Sequence, residues 1–98
     1  MSGLPNYVYQ HFTSHAGPVR PHIRCKDGFS LSVQGSASHY CSPREHGVFY
    51  TTVEVWAWSQ RTIPAKLKKH FRYKGEPLGW VPVDDVNALI KQHGGLAA

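Results

Sequence analysis

Residues 49–58, FYTTVEVWAW, constrain the fold more than any other part of the chain. β-branched and aromatic side chains fill this segment, and such residues suit a pleated, half-buried surface. A strand alternates its side chains between two faces. Phe49, Thr51, Val53, Val55 and Ala57 therefore share one face, and Tyr50, Thr52, Glu54, Trp56 and Trp58 the other. One face must line a core, and the other then presents aromatic rings around a lone carboxylate.

A second strand is read over residues 29–34, where Phe29, Leu31 and Val33 alternate with Ser30, Ser32 and Gln34. Before it, Lys26-Asp27-Gly28 is turn chemistry, and Val19 to Cys25 is an extended partner for a hairpin. Pro21 has no N–H to donate, which confines that partner to an edge or a bulge. Residues 1–18 mix polar and aromatic side chains with Pro5, Gly17 and Pro18, and read as an arm or a short edge strand.

Helical spacing is clearest over 83–93. Val83, Val86, Leu89 and Ile90 make one apolar stripe, with Asp84 and Asp85 in the first turn and Lys91 and His93 in the last. Both charge placements suit the helix dipole, and Gly94 suits a left-handed stop. Residues 61–75 show Ile63, Leu67 and Phe71 at i, i+4 and i+8, with Thr62 as N-cap, Pro64 in the first turn and Gly75 as the stop. A short helix is expected there. The alternative is a hairpin pairing Phe71-Arg72-Tyr73 with Gly79-Trp80-Val81. Trp80 is expected to close the core. The fold class is α+β: one domain of 98 residues, a small antiparallel β-sheet of three to five strands, and one C-terminal helix packed on it.

Charge narrows the function classes. Lys and Arg number 11 against 6 Asp and Glu, a net charge of +5. Residues 61–74 carry Arg61, Lys66, Lys68, Lys69, Arg72 and Lys74 with no acid among them. This balance favours acidic partners and argues against a mimic of DNA. No apolar run approaches the roughly 20 residues of a membrane span. The N-terminal residues lack the basic start and apolar stretch of a signal peptide, so the expected location is the cytoplasm. Cys25 and Cys41 are too few for a disulfide scaffold and read as free thiols.

Four chemistries compete for the remaining signals. Cys25, His39, Cys41 and His46 offer zinc ligands in the order C-x13-H-x-C-x4-H, without the close cysteine pairing of zinc fingers and ribbons. The bland alternative is two packed thiols and two solvated histidines, and no metal or other cofactor is expected. Cys41 beside His39 and Arg44 suggests a nucleophile, but no base-and-orienter set or oxyanion hole accompanies it, so no enzyme is expected. Lys66, Lys68, Lys69 and Arg72 suit phosphates, while Tyr50, Trp56 and Trp58 suit stacked bases. Finally, Tyr40, Arg44, Tyr50, Trp56 and Trp58 are of the types that anchor protein interfaces. The 35–48 segment, GSASHYCSPREHGV, is long for a loop in so small a domain, which marks it as functional.

The string DGFSLSVQGSASHYCSPR (27–44), the Val-Glu-Val of 53–55 and GWVPVDDV…HGG (79–95) together resemble a family of short uncharacterised proteins of tailed bacteriophages. The Tyr-Cys-x-Pro-Arg element is its most distinctive part. Position by position the resemblance covers Asp27, Gly28, Ser32, Val33, Gln34, Tyr40, Cys41, Pro43, Arg44, Val53, Glu54 and Val55. It departs at RTIPAKLKKHFRYKGEP, where the family is acidic and proline-rich. The family has no established activity, so the resemblance implies a phage origin more than a function; its members look like the small early proteins among which inhibitors of host defence, anti-CRISPR proteins included, are found. The expected function is that of a phage accessory protein that binds stoichiometrically and inhibits a host defence complex, such as a CRISPR–Cas effector. Its partner would be a host protein or ribonucleoprotein in the host cytoplasm, with no membrane, and the protein itself a monomer or homodimer. The alternative is a basic module that binds single-stranded nucleic acid or nucleotides on an aromatic sheet face. The expected binding residues are Gln34, His39, Tyr40, Arg44, Tyr50, Glu54, Trp56, Trp58, Lys66, Lys68, Lys69 and Arg72. An Arg44–Glu54 pair bracing the loop is the structural alternative for those two.

Overall fold

A computed structural model of the chain describes residues 5–17, 19–71 and 77–97. The order of elements is α1 (Tyr7–Ser14), β1 (Ile23–Arg24), β2 (Ser30–Gln34), β3 (Thr52–Trp56), a 3-10 helix (Ala65–His70), β4 (Leu78–Pro82) and α2 (Val83–Gln92). The strands form an antiparallel meander in the order β1-β2-β3-β4. The α+β expectation holds, with one correction at the start of the chain. Residues 7–14 form a helix where an arm or edge strand was expected. Asn6 caps it by accepting from the Tyr9 N–H at 3.1 Å, and Val8, His11 and Phe12 bury one helical face. Among the described residues, no helix is long and apolar enough to cross a membrane.

The core lies between the sheet and the two α-helices. Leu31, Val33, Val53 and Val55 point in from β2 and β3, and Val86, Leu89 and Ile90 meet them from α2. Each such side chain stabilises the fold by roughly 2 kcal/mol on burial. The stripe and the end charges of α2 fall where expected, and Gly94 takes φ +93. Asn87 is buried within it. Its Oδ1 accepts from the Val8 N–H at 3.1 Å, and its Nδ2 donates to Asn6 Oδ1 at 3.1 Å, tying the start of α1 to α2.

The β1–β2 turn forms as its residues demand. Asp27 Oδ1 accepts from the Phe29 N–H at 2.9 Å, and Gly28 takes φ +96. The outer edge of β1 is covered by residues 95–97. Cys25 bridges Leu96, Lys26 N–H donates to Gly95, and Ala97 N–H donates to Arg24.

Arg20 is 2 % exposed. Among the described residues it faces no carboxylate, since the ion pairs are Lys69–Asp85, His70–Asp85 and His93–Asp27. Its guanidinium donates to backbone carbonyls instead: Nε to His15 at 2.8 Å, Nη1 to Gly35 at 2.7 Å and Nη2 to Gly47. It also lies 3.9 Å from the centre of the Phe12 ring. The Arg20 backbone exchanges two hydrogen bonds with the Gln34 side chain, at 2.8 and 2.7 Å. Gln34 was expected on a solvent face as a binding residue. It is an internal fastener, because its amide satisfies backbone that nothing else reaches.

Two predictions follow from these buried groups. Arg20→Met leaves three carbonyls without their donor and should cost about 3 kcal/mol, a fall of more than about 10 °C in melting temperature by calorimetry. The second concerns His11, which is buried and donates from Nε2 to the Pro21 carbonyl at 2.9 Å. Burial is the largest cause holding its pKa below the ordinary histidine value; the Pro21 bond opposes this, and His15 and Arg20 reinforce it. The unfolded chain then binds the proton more readily, so this stability is whole above about pH 6.5 and is lost as pH falls below it. His11→Gln keeps an N–H for Pro21 and cannot take up that proton. Urea midpoints at pH 7.5 and 5.5 should differ less in the variant than in the wild type.

Candidate functional site

β3 and β4 do not pair in uniform register. Val53 pairs with Val81 but Val55 pairs with Leu78, so Gly79 and Trp80 together stand opposite Glu54. This extra residue is a β-bulge. Trp80 takes φ +50, a left-handed conformation that costs a non-glycine residue on the order of 1 kcal/mol. The bulge lets Leu78 and Val81, three positions apart, both face the core, and it turns Trp80 outward to 52 % exposure. The expectation that Trp80 closes the core is thereby corrected.

The 35–48 loop closes on this bulge. Ser42 bridges Thr52 of β3, and the Trp80 N–H donates to the Tyr40 carbonyl at 2.9 Å, so the loop reaches from β3 to β4. Gly79 makes room for it: a Cβ there would sit 2.9 Å from the Tyr40 Cβ. The Tyr40 ring stacks on Trp80 with centroids 4.9 Å apart and planes inclined by 28°. Arg44 lies 5.2 Å from the centre of the same Tyr40 ring. Tyr40 is 47 % exposed, so two large rings and a guanidinium share one open patch. Arg44 enters none of the ion pairs among the described residues, so the brace to Glu54, the structural alternative for these two, is not formed.

The base of the loop is internally satisfied. Ser36 Oγ bonds His39 Nδ1 at 2.7 Å and accepts from the Ser38 N–H at 3.0 Å. His39 thus shapes the loop. The Cys41 thiol donates to the Ser36 and Pro43 carbonyls at 3.3 and 3.4 Å. Burial above all pushes its pKa up, which is the reverse of what an activated nucleophile needs. Burial likewise pushes the Cys25 thiol up to about 11. Among the described residues no three His, Cys, Asp or Glu side chains gather as a metal site, so Cys25, His39, Cys41 and His46 do not form the zinc set considered for them.

Tyr50 is also corrected from exposed to internal. Regular strand begins only at Thr52, so the alternation drawn from Phe49 is shifted. Tyr50 is 3 % exposed while Phe49 is 62 % exposed. The Tyr50 ring meets Phe12 edge-on at 5.5 Å, and its hydroxyl donates to the Glu45 carbonyl at 2.7 Å.

Trp56 and Trp58 do come together, edge to face at 5.6 Å, because Ala57 at φ +53 turns the chain after β3. Both are half-buried, and Trp58 packs against the core margin.

Lys66, Lys68 and Lys69 lie exposed on the 3-10 helix, which packs against β4 and α2 through buried Leu67. This helix starts after Pro64 and has no side-chain cap, in place of the Thr62 cap expected. Lys69 and His70 both hold Asp85, at 3.4 and 2.8 Å. Burial raises the Asp85 pKa, but these two partners outweigh it and leave the carboxyl below its usual range. Arg72 and Lys74 lie outside the described residues, as does most of the 71–73 segment of the alternative hairpin; Phe71 ends the 3-10 helix, its N–H donating to the Lys68 carbonyl.

A separate hollow of about 210 Å³ is lined by Phe49, Thr51, Val83 and Asp84 at the start of α2. Its charged group is an acid, opposite in sign to the excess charge of the chain.

Compared with known protein families, curated proteins and solved structures, the chain matches none.

Gly79→Ala tests the seat of the stack. The added methyl must push Tyr40 away, so the near-ultraviolet circular dichroism of the Tyr40–Trp80 pair should fall, with a stability loss of about 1–3 kcal/mol. An unchanged spectrum would show that Tyr40 does not rest on Gly79.

Proposed function

We propose that the protein is a stoichiometric binding protein whose Tyr40–Trp80 stack, with Arg44 beside it, receives a base of a single-stranded nucleic acid. The observation that carries this reading is the pair of stacked, half-exposed rings next to a guanidinium on a chain of net charge +5. Every base offers a π-face, and stacking on a protein aromatic contributes about 1–3 kcal/mol per base. Lys66 and Lys68 stand exposed on the 3-10 helix packed against β4 and α2, and add to the positive charge that attracts phosphates.

A second reading uses the same patch. Tyr40 and Arg44 belong to the Tyr-Cys-Ser-Pro-Arg string on which the likeness to phage proteins rests, and Tyr, Trp and Arg commonly anchor protein interfaces. On this reading the patch occupies a site on a host defence complex, such as a CRISPR–Cas effector, and acts by blocking it.

Fluorescence anisotropy with labelled single-stranded oligonucleotides separates the two. The nucleic-acid reading expects the logarithm of the affinity to fall linearly with the logarithm of salt concentration. Tyr40→Ala and Trp80→Ala should each weaken binding by about 5- to 100-fold. No binding at low salt, or binding that ignores both substitutions, would leave the patch to a protein partner.

A further inference from the structure

We infer that Glu54 selects the base held on this face, favouring one that carries an exocyclic amino group. The inference rests on the nucleic-acid reading of the stack and adds a specificity to it. Val53 and Val55 are fully buried, so Glu54 and Trp56 between and beyond them belong to the opposite face of β3. Across one side of Glu54 stands the Gly79–Trp80 bulge. Across the other stands Gln34, whose amide is already used by the Arg20 backbone and by Ser32 Oγ at 3.1 Å. The Cys41 thiol, which feels the Glu54 charge, is likewise committed, to the Ser36 and Pro43 carbonyls. Glu54 is half-buried and, among the described residues, forms no ion pair.

Two residues along the strand, roughly 7 Å away by strand rise, Trp56 and Trp58 form a second pair of rings. The Trp80 bulge flanks Glu54 across the sheet and Trp56 flanks it along β3, so a single strand bound over this face meets a ring in each of the two directions from one acceptor that enters no ion pair among the described residues. An ionised carboxylate accepts hydrogen bonds and donates none. It takes a hydrogen bond from the N4 amino group of cytosine and is repelled by the O4 carbonyl that uracil places there.

The test compares oligo(dC) and oligo(dU) of equal length at pH 7.5 with the full chain, its Glu54→Leu variant and its Glu54→Gln variant. The wild type should bind oligo(dC) about tenfold more tightly. Glu54→Leu should bring the ratio to about one without weakening oligo(dU), and Glu54→Gln, which keeps one carbonyl acceptor, should fall between. Equal wild-type affinities, or a preference that persists in Glu54→Leu, overturn the inference and leave the stacking platform standing. Failure to bind either oligonucleotide at low salt overturns the platform itself.

Discussion

A buried guanidinium with carbonyls in place of a counter-ion joins the parts of this molecule that regular secondary structure leaves apart. Arg20 collects carbonyls from the end of α1, the end of β2 and the far end of the 35–48 loop. Burying a charge is costly, and a hydrogen bond from each of the three guanidinium nitrogens, together with the Phe12 ring beneath it, offsets that cost. The fork geometry of arginine matters here, because one planar group reaches three separately aimed acceptors. The geometry is unforgiving: a lysine ammonium in its place lacks the spread to reach all three.

The loop that Arg20 anchors is the one that presents Tyr40 and Arg44. Anchoring at Gly35 and Gly47 fixes both ends of the excursion, and the Trp80 N–H fixes its middle. Exposed aromatic rings are thereby held without being packed in the core. A surface prepared in this way loses little side-chain freedom when a ligand arrives, which favours affinity from a small contact area. The bulge in β4 is the other half of the arrangement, since it sends Leu78 and Val81 inward and Trp80 outward from adjacent positions.

Elements whose signals are local could be read from the residues. The stripe of α2, the alternation of β2, the Asp27-Gly28 turn and the strand character around Val53 and Val55 all depend on neighbours within a few positions, whereas which face of that strand lines the core does not. The helix α1 carried local signals too, an Asn6 cap and Val8, His11 and Phe12 at helical spacing, but its polar and aromatic composition and nearby Pro5 masked them. The outward turn of Trp80 is hidden in the sequence because a bulge breaks strand parity. The spacing of Leu78 and Val81, odd for a strand with both residues inside, was the available clue. The internal roles of Gln34 and Tyr50 are hidden in the sequence because their partners are distant: Gln34 serves Arg20, and Tyr50 fills the space over Gly35, where a Cβ would meet its ring at 2.8 Å. In the site itself, Tyr40 and Arg44 were legible as exposed polar-aromatic groups of a long loop, whereas their stacking partner was not.

The cover that residues 95–97 lay over β1 has a consequence for self-association. A bare edge strand offers its backbone as a template on which another chain can add. Here the N–H of Lys26 and the carbonyl of Arg24 are already spent on Gly95 and Ala97. At the opposite margin the 3-10 helix packs against β4, and the Trp80 amide is occupied by Tyr40. The sheet thus resists growth by strand addition at both borders, and a chain with exposed tryptophan and tyrosine can meet its partners through side chains while keeping its backbone from polymerising.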